Sequence, residues 1–147
     1  MKYSQAQMGR VFVIRLEDGE ILHEEIEQFC KEKDIEAGMV VVVGGADEGS
    51  KLVVGPENGE EFPVNPLHHI MDGVHEAAGT GTIFPDESGE PLVHIHLACG
   101  RQDSTQTGCI REGVKVWEVM EVILVELTST TARRELEEKT DLKLLNP

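Results

Sequence analysis

Two spacings of apolar residues follow one another in the first third of the chain. RVFVIRL, residues 10–16, has the pattern of a β-strand and is followed by the turn sequence EDGE. The next segment, ILHEEIEQFCKEK, carries apolar residues at i, i+4, i+7 and i+8: Leu22, Ile26, Phe29 and Cys30. That spacing predicts an amphipathic helix with Cys30 packed on its buried face.

A continuous apolar run comes after this helix. GMVVVVGGA, residues 38–46, is rich in β-branched residues and bounded by glycines. Such a run is typical of a strand that is buried on both faces. The preceding helix is therefore predicted to be a crossover between two strands of one sheet.

The second half of the chain predicts further strands. AGTGTIF, residues 78–84, and PLVHIHLA, residues 91–98, are separated by a segment rich in turn residues, which predicts an antiparallel hairpin. KVWEVMEVILVEL, residues 115–127, predicts a long strand that carries Glu121 on a heavily apolar face.

The pattern as a whole predicts one α+β domain over residues 1–147. Its sheet is expected to be mixed but largely antiparallel and curled, with one crossover helix. The tail TARRELEEKTDLKLLNP, residues 131–147, is predicted to form a short C-terminal helix with Leu136 as its main apolar contact.

Charge narrows the classes of partner. The chain has 28 acidic and 13 basic residues, a net charge of −15, which repels phosphate backbones and disfavours direct DNA binding. No apolar stretch approaches the ~20 residues of a membrane-spanning helix, and no secretory signal is recognised at the N-terminus. We therefore expect a cytoplasmic protein whose three cysteines are reduced.

The hairpin contains the most distinctive chemistry in the chain. His94 and His96 are one residue apart in a predicted strand, so their side chains should lie on the same side, about 6–7 Å apart along it. Two imidazoles so placed need a third ligand to form a zinc site, and Cys109, preceded by Gly108, is the nearest suitable donor. The alternative is a strand whose histidines are satisfied by hydrogen bonds with their neighbours.

Two further residues are candidates for a catalytic role beside such a metal. Arg101 follows the histidine pair, and Glu121 is the acid on the apolar face of the last long strand. A surface salt bridge for Arg101 and a hydrogen-bonded strand carboxylate for Glu121 are the alternatives.

In their order along the chain, these segments resemble the plants-and-prokaryotes-conserved (PPC) domain in its prokaryotic single-domain form. The resemblance rests on RVFVIRLEDGEILHEEIEQFCKEKDIEAGMVVVVGGA, HIHLACGR, TGCIREG and VWEVMEVILVEL. It implies a homotrimer with the histidine cluster near a subunit boundary. Many members carry Gly-Gly-His where this chain has Gly108 and Cys109, and a thiolate in that place is also a good zinc ligand.

The resemblance leaves two functional hypotheses. The first is a trimeric zinc-binding protein with a role in assembly, regulation or small-ligand binding. The second is a zinc-dependent lyase or hydrolase acting on a small carbonyl or carboxylate substrate, since the fold is also similar to that of acetolactate decarboxylase. Prokaryotic relatives are often labelled DNA-binding, but the Gly-Arg-Pro arm of the plant members does not occur in this chain.

Overall fold

A computed structural model describes all 147 residues as ten strands and one helix. The elements in chain order are β1 (Gln7–Glu17), α1 (Leu22–Glu32), β2 (Gly38–Ala46), β3 (Lys51–Pro56), β4 (Pro66–Ile70), β5 (His75–Pro85), β6 (Pro91–Arg101), β7 (Ser104–Cys109), β8 (Val116–Thr128), β9 (Arg133–Glu137) and β10 (Leu142–Asn146). The predicted α+β class is confirmed.

Eight strands form one sheet in the order β1-β8-β2-β5-β6-β7-β3-β4, and β9 and β10 form a separate hairpin. Every neighbouring pair is antiparallel, so the sheet is uniform where the sequence predicted a mixed one. Strands β1 and β2 flank β8 and are therefore parallel to each other, which makes α1 a crossover as predicted. The predicted β5–β6 hairpin is also present.

One face of the sheet packs on α1. The helix buries Leu22, Ile26 and Cys30 completely, as its spacing predicted. The facing strands contribute the alternate residues, such as Val40 and Val42 of β2, to a single cluster. Burial raises the pKa of the Cys30 thiol to about 12, so this cysteine is a neutral core residue.

The opposite face, which we call the outward face, is partly open in the isolated chain. One row of residues, paired in register across all eight strands, runs along it: Val13, Ile123, Val41, Thr80, His96, Cys109, Val53 and His68. Val41 and Val43 are 50% and 51% exposed. The prediction that this strand is buried on both faces therefore fails for a single chain, because no other element covers this part of the sheet.

The predicted C-terminal helix is wrong. Strands β9 and β10 pair from Leu142↔Glu137 to Asn146↔Arg133 instead. Contacts with the β5–β6 hairpin explain the difference: Arg134 donates a hydrogen bond to Thr82, and Lys143 pairs with Asp86 at 2.7 Å. Residues 132–139 are all good helix formers, but propensity is a weak determinant, and these tertiary contacts outweigh it.

The single helix has 11 residues, too few for a membrane span, so no helix of the chain meets the length and apolarity that crossing a bilayer requires.

Candidate metal centre

Strand β6 presents His94 and His96 on the outward face. Their register partners in β5 are Thr82 and Thr80, and the alternate positions of β5 at this level are glycines. A side chain at Gly79 would overlap the carbonyl oxygen of His96. The close approach of β5 to the histidine-bearing strand therefore depends on a residue without a Cβ.

Strand β7 brings in the cysteine. Cys109 lies directly opposite His96 in the β6–β7 pair and is 8% exposed. Gly108 precedes it, and a Cβ there would come within 2.5 Å of the Val53 carbonyl oxygen of β3. The sequence predicted that a glycine before Cys109 allows a close approach of the backbone. In the structure, Gly108 allows β7 to pack closely on β3.

The three donor atoms converge. The imidazole Nε2 atoms of His94 and His96 are 3.1 Å apart, and the potential ligand atoms of both histidines and of Cys109 all lie within 4.8 Å of one another. Tetrahedral zinc with ordinary Zn–N and Zn–S bonds separates its ligand atoms by roughly 3.3–3.6 Å. Small side-chain rotations would therefore bring these atoms to coordinating distances, and the donor set fits zinc.

The surroundings of the pair keep His94 neutral. Burial, followed by the charge of Arg134, by His96 and by Arg111, lowers the pKa of His94 to about 4. Neutral imidazole is the form that binds metal, so near neutral pH no proton has to be displaced from this residue.

Arg134 was not among the residues predicted from the sequence. It is 4% exposed, donates a hydrogen bond to Thr82 Oγ1 at 2.9 Å, and lies close enough to His94 and Cys109 for their charges to interact. The sequence did not indicate that Arg134 lies beside the histidines, because its segment was predicted to be helical. The alternation of Leu142, Lys143 and Leu144 was the available signal for a strand hairpin.

The two candidate catalytic residues are not brought to the histidines. Arg101 is at the far end of β6, where its Nη1 donates to the carbonyl of Val74. Glu121 is on the outward face, as predicted, but in β8, three strands from β6 and thus roughly 14 Å away at the usual strand spacing. Within one chain neither side chain contacts the candidate metal centre.

Fold and site together define a class: an α+β domain in which an antiparallel sheet carries a His, His, Cys constellation on the face away from its helix. A sequence comparison gives the family. The model of the Plants and Prokaryotes Conserved (PCC) domain matches residues 3–128, most of the chain, so the chain belongs to the PPC (or PCC) domain family.

Solved structures with the same fold cover nearly the whole chain. A metal-containing protein from Archaeoglobus fulgidus is 25% identical with a TM-score of 0.84, and covers 100% of both chains. A plant- and prokaryote-conserved protein from Pyrococcus horikoshii is 25% identical with a TM-score of 0.82, over 100% of this chain and 98% of its own. A protein from Bacteroides thetaiotaomicron that is described as a proposed DNA-binding protein is 18% identical with a TM-score of 0.74. The match covers 97% of this chain and 98% of that chain.

Curated relatives are much longer than this chain. Two proteins named bifunctional protein GlmU, from two Synechococcus strains, are 27% and 23% identical over 118 residues. Those residues are 80% of this chain but 17% of each relative. The similarity therefore concerns one part of those proteins.

Proposed function

We propose that this PPC-domain protein binds zinc through His94, His96 and Cys109, and that it acts as a homotrimeric small-ligand-binding or regulatory protein. The observation that supports the metal is the convergence of three good donor atoms within 4.8 Å. Three protein ligands leave one position of a tetrahedral zinc ion open for water or a ligand. The relative from Archaeoglobus fulgidus, described as metal-containing, adds support from within the fold.

The identity of the metal follows from the chemistry of the donors. A thiolate with two imidazoles is a soft to intermediate set that suits zinc and disfavours calcium or magnesium, which prefer oxygen ligands. The thiolate also supplies a negative charge that offsets part of the ion's charge in surroundings that include Arg134 and Arg111. A structural contribution is expected as well, since the ion would join β6 to β7.

Assembly is the second part of the proposal. The open half of the outward face is apolar across three neighbouring strands, where Val13, Ile123 and Val41 are paired in register. Exposed sheet faces of this kind are typical of interaction surfaces. A second copy covering this face would explain why the chain keeps these positions apolar, and a closed ring of three copies is what family membership suggests.

Direct DNA binding is not part of the proposal. The net charge of −15 opposes long-range attraction to a phosphate backbone. The DNA-related name of the Bacteroides relative belongs to a protein that is 18% identical, a likeness that concerns the fold alone.

Zinc analysis of untagged protein tests the metal site. We expect about one zinc per chain after dialysis against zinc, and an affinity at least about a hundredfold lower for Cys109→Ser, since even outer-shell substitutions cost 10–100-fold. The matched control is His68→Ala, which removes a histidine of the same outward face outside the three-residue cluster. Unchanged affinity in Cys109→Ser, or equal loss in His68→Ala, would contradict the assignment.

A further inference from the structure

A cavity adjoins the candidate metal centre at the first half of β6. Strand β7 pairs only with residues from His96 to Arg101, so the edge of β6 near Leu92 and Val93 has no strand beside it. The space at this edge lies between α1 and the β9–β10 hairpin and measures about 620 Å³. That is the size of a pocket for a small organic molecule.

The cavity wall contains a buried charge without a carboxylate partner. Arg134 is 4% exposed and hydrogen bonds only to neutral groups, the hydroxyl of Thr82 and the carbonyl of Leu92. Its Nη1 makes no hydrogen bond within the chain. Burying a guanidinium without a hydrogen-bonded anion is costly, and the nearby Cys109 is assigned to the candidate metal centre, so the site is electrostatically incomplete.

A second arginine faces the same space. Arg111 lines the cavity and forms no ion pair, whereas Lys143, also in the wall, is already paired with Asp86. The acids in the wall are Glu27 and Asp141, and Glu27 accepts a hydrogen bond from the backbone N–H of Val93. The buried Arg134 and the solvent-exposed Arg111 therefore line the same space, and neither has an ion-pair partner within the chain.

The rest of the wall contains several leucines and suits the apolar body of a ligand. Leu92, Leu142, Leu144 and Leu145 supply the apolar part of the wall. His23 also lines the cavity, but its Nδ1 atom is buried away from the open space and has no hydrogen-bond partner.

We propose that this cavity binds a small organic oxyanion, a carboxylate or a phosphate ester, with Arg134 and Arg111 holding the charged group and the leucines holding the body. Guanidiniums bind both oxyanions through paired hydrogen bonds. His94 belongs to both the cavity and the candidate metal centre, so the anion can also approach the metal. This last contact rests on the proposed zinc site; the arginine contacts do not.

The β9–β10 hairpin supplies much of the cavity wall. It supplies Arg134 and the leucines at 142, 144 and 145, and it lies beyond residues 3–128, the segment that matches the family domain. Ligand choice is therefore expected to depend largely on residues outside the segment that the family model matches.

Isothermal titration of the zinc-loaded 147-residue protein tests the proposal with four probes that have a six-carbon body and different head groups: hexanoate, hexyl phosphate, hexan-1-ol and hexylamine. We expect at least one anion to bind about tenfold or more tightly than the alcohol and the amine, because charge-assisted hydrogen bonds to the arginines discriminate between the head groups. Preference for hexanoate or for hexyl phosphate identifies which oxyanion the arginines fit.

Variants then assign the preference to the arginines. Arg111→Gln and Arg134→Gln should each reduce anion binding about tenfold or more, while Arg133→Gln, which removes an exposed arginine of the same hairpin, should leave it unchanged. If Arg134→Gln fails to fold, Arg134→Lys replaces it, and it should weaken anion binding because the paired geometry is lost.

The proposal is overturned by no anion binding at millimolar concentration, by equal binding of hexan-1-ol, or by an equal loss of anion binding in Arg133→Gln. It is also overturned if the Arg111 and Arg134 variants change the mass of the assembly and leave anion binding intact, since the arginines would then serve subunit contacts. His96→Ala separates the two proposals. If His96→Ala no longer binds zinc but still prefers the anions, the cavity proposal stands independently of the zinc site.

Discussion

At the scale of single residues, Glu126 of β8 shows how one carboxylate connects three elements. Its Oε2 accepts hydrogen bonds from the backbone N–H and the Nε of Arg10 in β1, and its Oε1 accepts one from Nη2 at 2.7 Å. The same Nη2 also donates to the carbonyl of Lys33 at the end of α1. The hydrogen bonds from Arg10 lower the pKa of Glu126 to about 2.

This pair predicts a specific loss of stability in acid. Because the pKa is lower in the folded state than its ordinary value of 4.5, the carboxylate stabilises the fold above that value and loses the contribution as pH falls toward about 2. Wild type should therefore be more stable than Glu126→Gln near neutral pH, and the difference should shrink on acidification through this window. Urea denaturation of both proteins across the window measures it; a constant difference would contradict the assignment.

Much of the candidate metal site could be predicted from the types and spacing of its residues. His94 and His96, one residue apart, must share a face of a strand, whereas Cys99, three residues after His96, falls on the other face. Cys109 is the next good donor and follows a glycine, so the sequence could nominate the three side chains that the fold brings within 4.8 Å. Arg134 could not be nominated, because its position depends on a contact with Thr82, 52 residues earlier in the chain. Arg101 and Glu121 were nominated from nearby sequence and apolar context, neither of which fixes distance in space.

At the scale of elements, the fit of β5 against β6 supports the histidines. Replacing Gly79 by Ala would place a methyl group on the carbonyl of His96, and β6 would have to shift. We expect Gly79→Ala to lower zinc affinity about tenfold or more, the effect typical of groups that orient metal ligands. Zinc competition titrations measure this. Gly59→Ala is the control because a Cβ there has open space, and equal affinities in wild type and Gly79→Ala would contradict the proposed support.

The elements that the sequence predicted correctly are those with strong local patterns. α1 and the β5–β6 hairpin have a clear helical period or a turn-rich connection, and both are present. The C-terminal hairpin was missed because residues 133–146 have a weak period of their own, and their conformation is determined by docking on β5 and β6. Local propensity cannot report such contacts.

At the scale of the whole molecule, the valine run of β2 has a consequence for assembly. Its sequence predicted burial on both faces, yet α1 covers only one, and Val41 is 50% exposed in the single chain. The prediction would be met if copies of the chain packed through the outward face, as the proposed homotrimer requires.

Light scattering after gel filtration tests this assembly. Wild type should have about three times the 16.2 kDa mass of one chain, and Val41→Glu should shift it toward a single chain, because a carboxylate would be buried without a partner at the interface. Leu67→Glu, an equivalent change at an exposed apolar residue of β4, should keep the wild-type mass. A monomeric wild-type protein would contradict the proposed homotrimer.

X-ray absorption spectroscopy at the zinc edge tests the central claim, the His, His, Cys zinc centre, most directly. The zinc-loaded protein should show two nitrogen scatterers at about 2.0–2.1 Å from imidazole and one sulfur scatterer at about 2.3 Å. The sulfur shell should disappear in Cys109→Ser and persist in His68→Ala. Bound zinc with no sulfur neighbour in the wild-type protein would contradict the assignment of Cys109 and, with it, the site formed by β6 and β7.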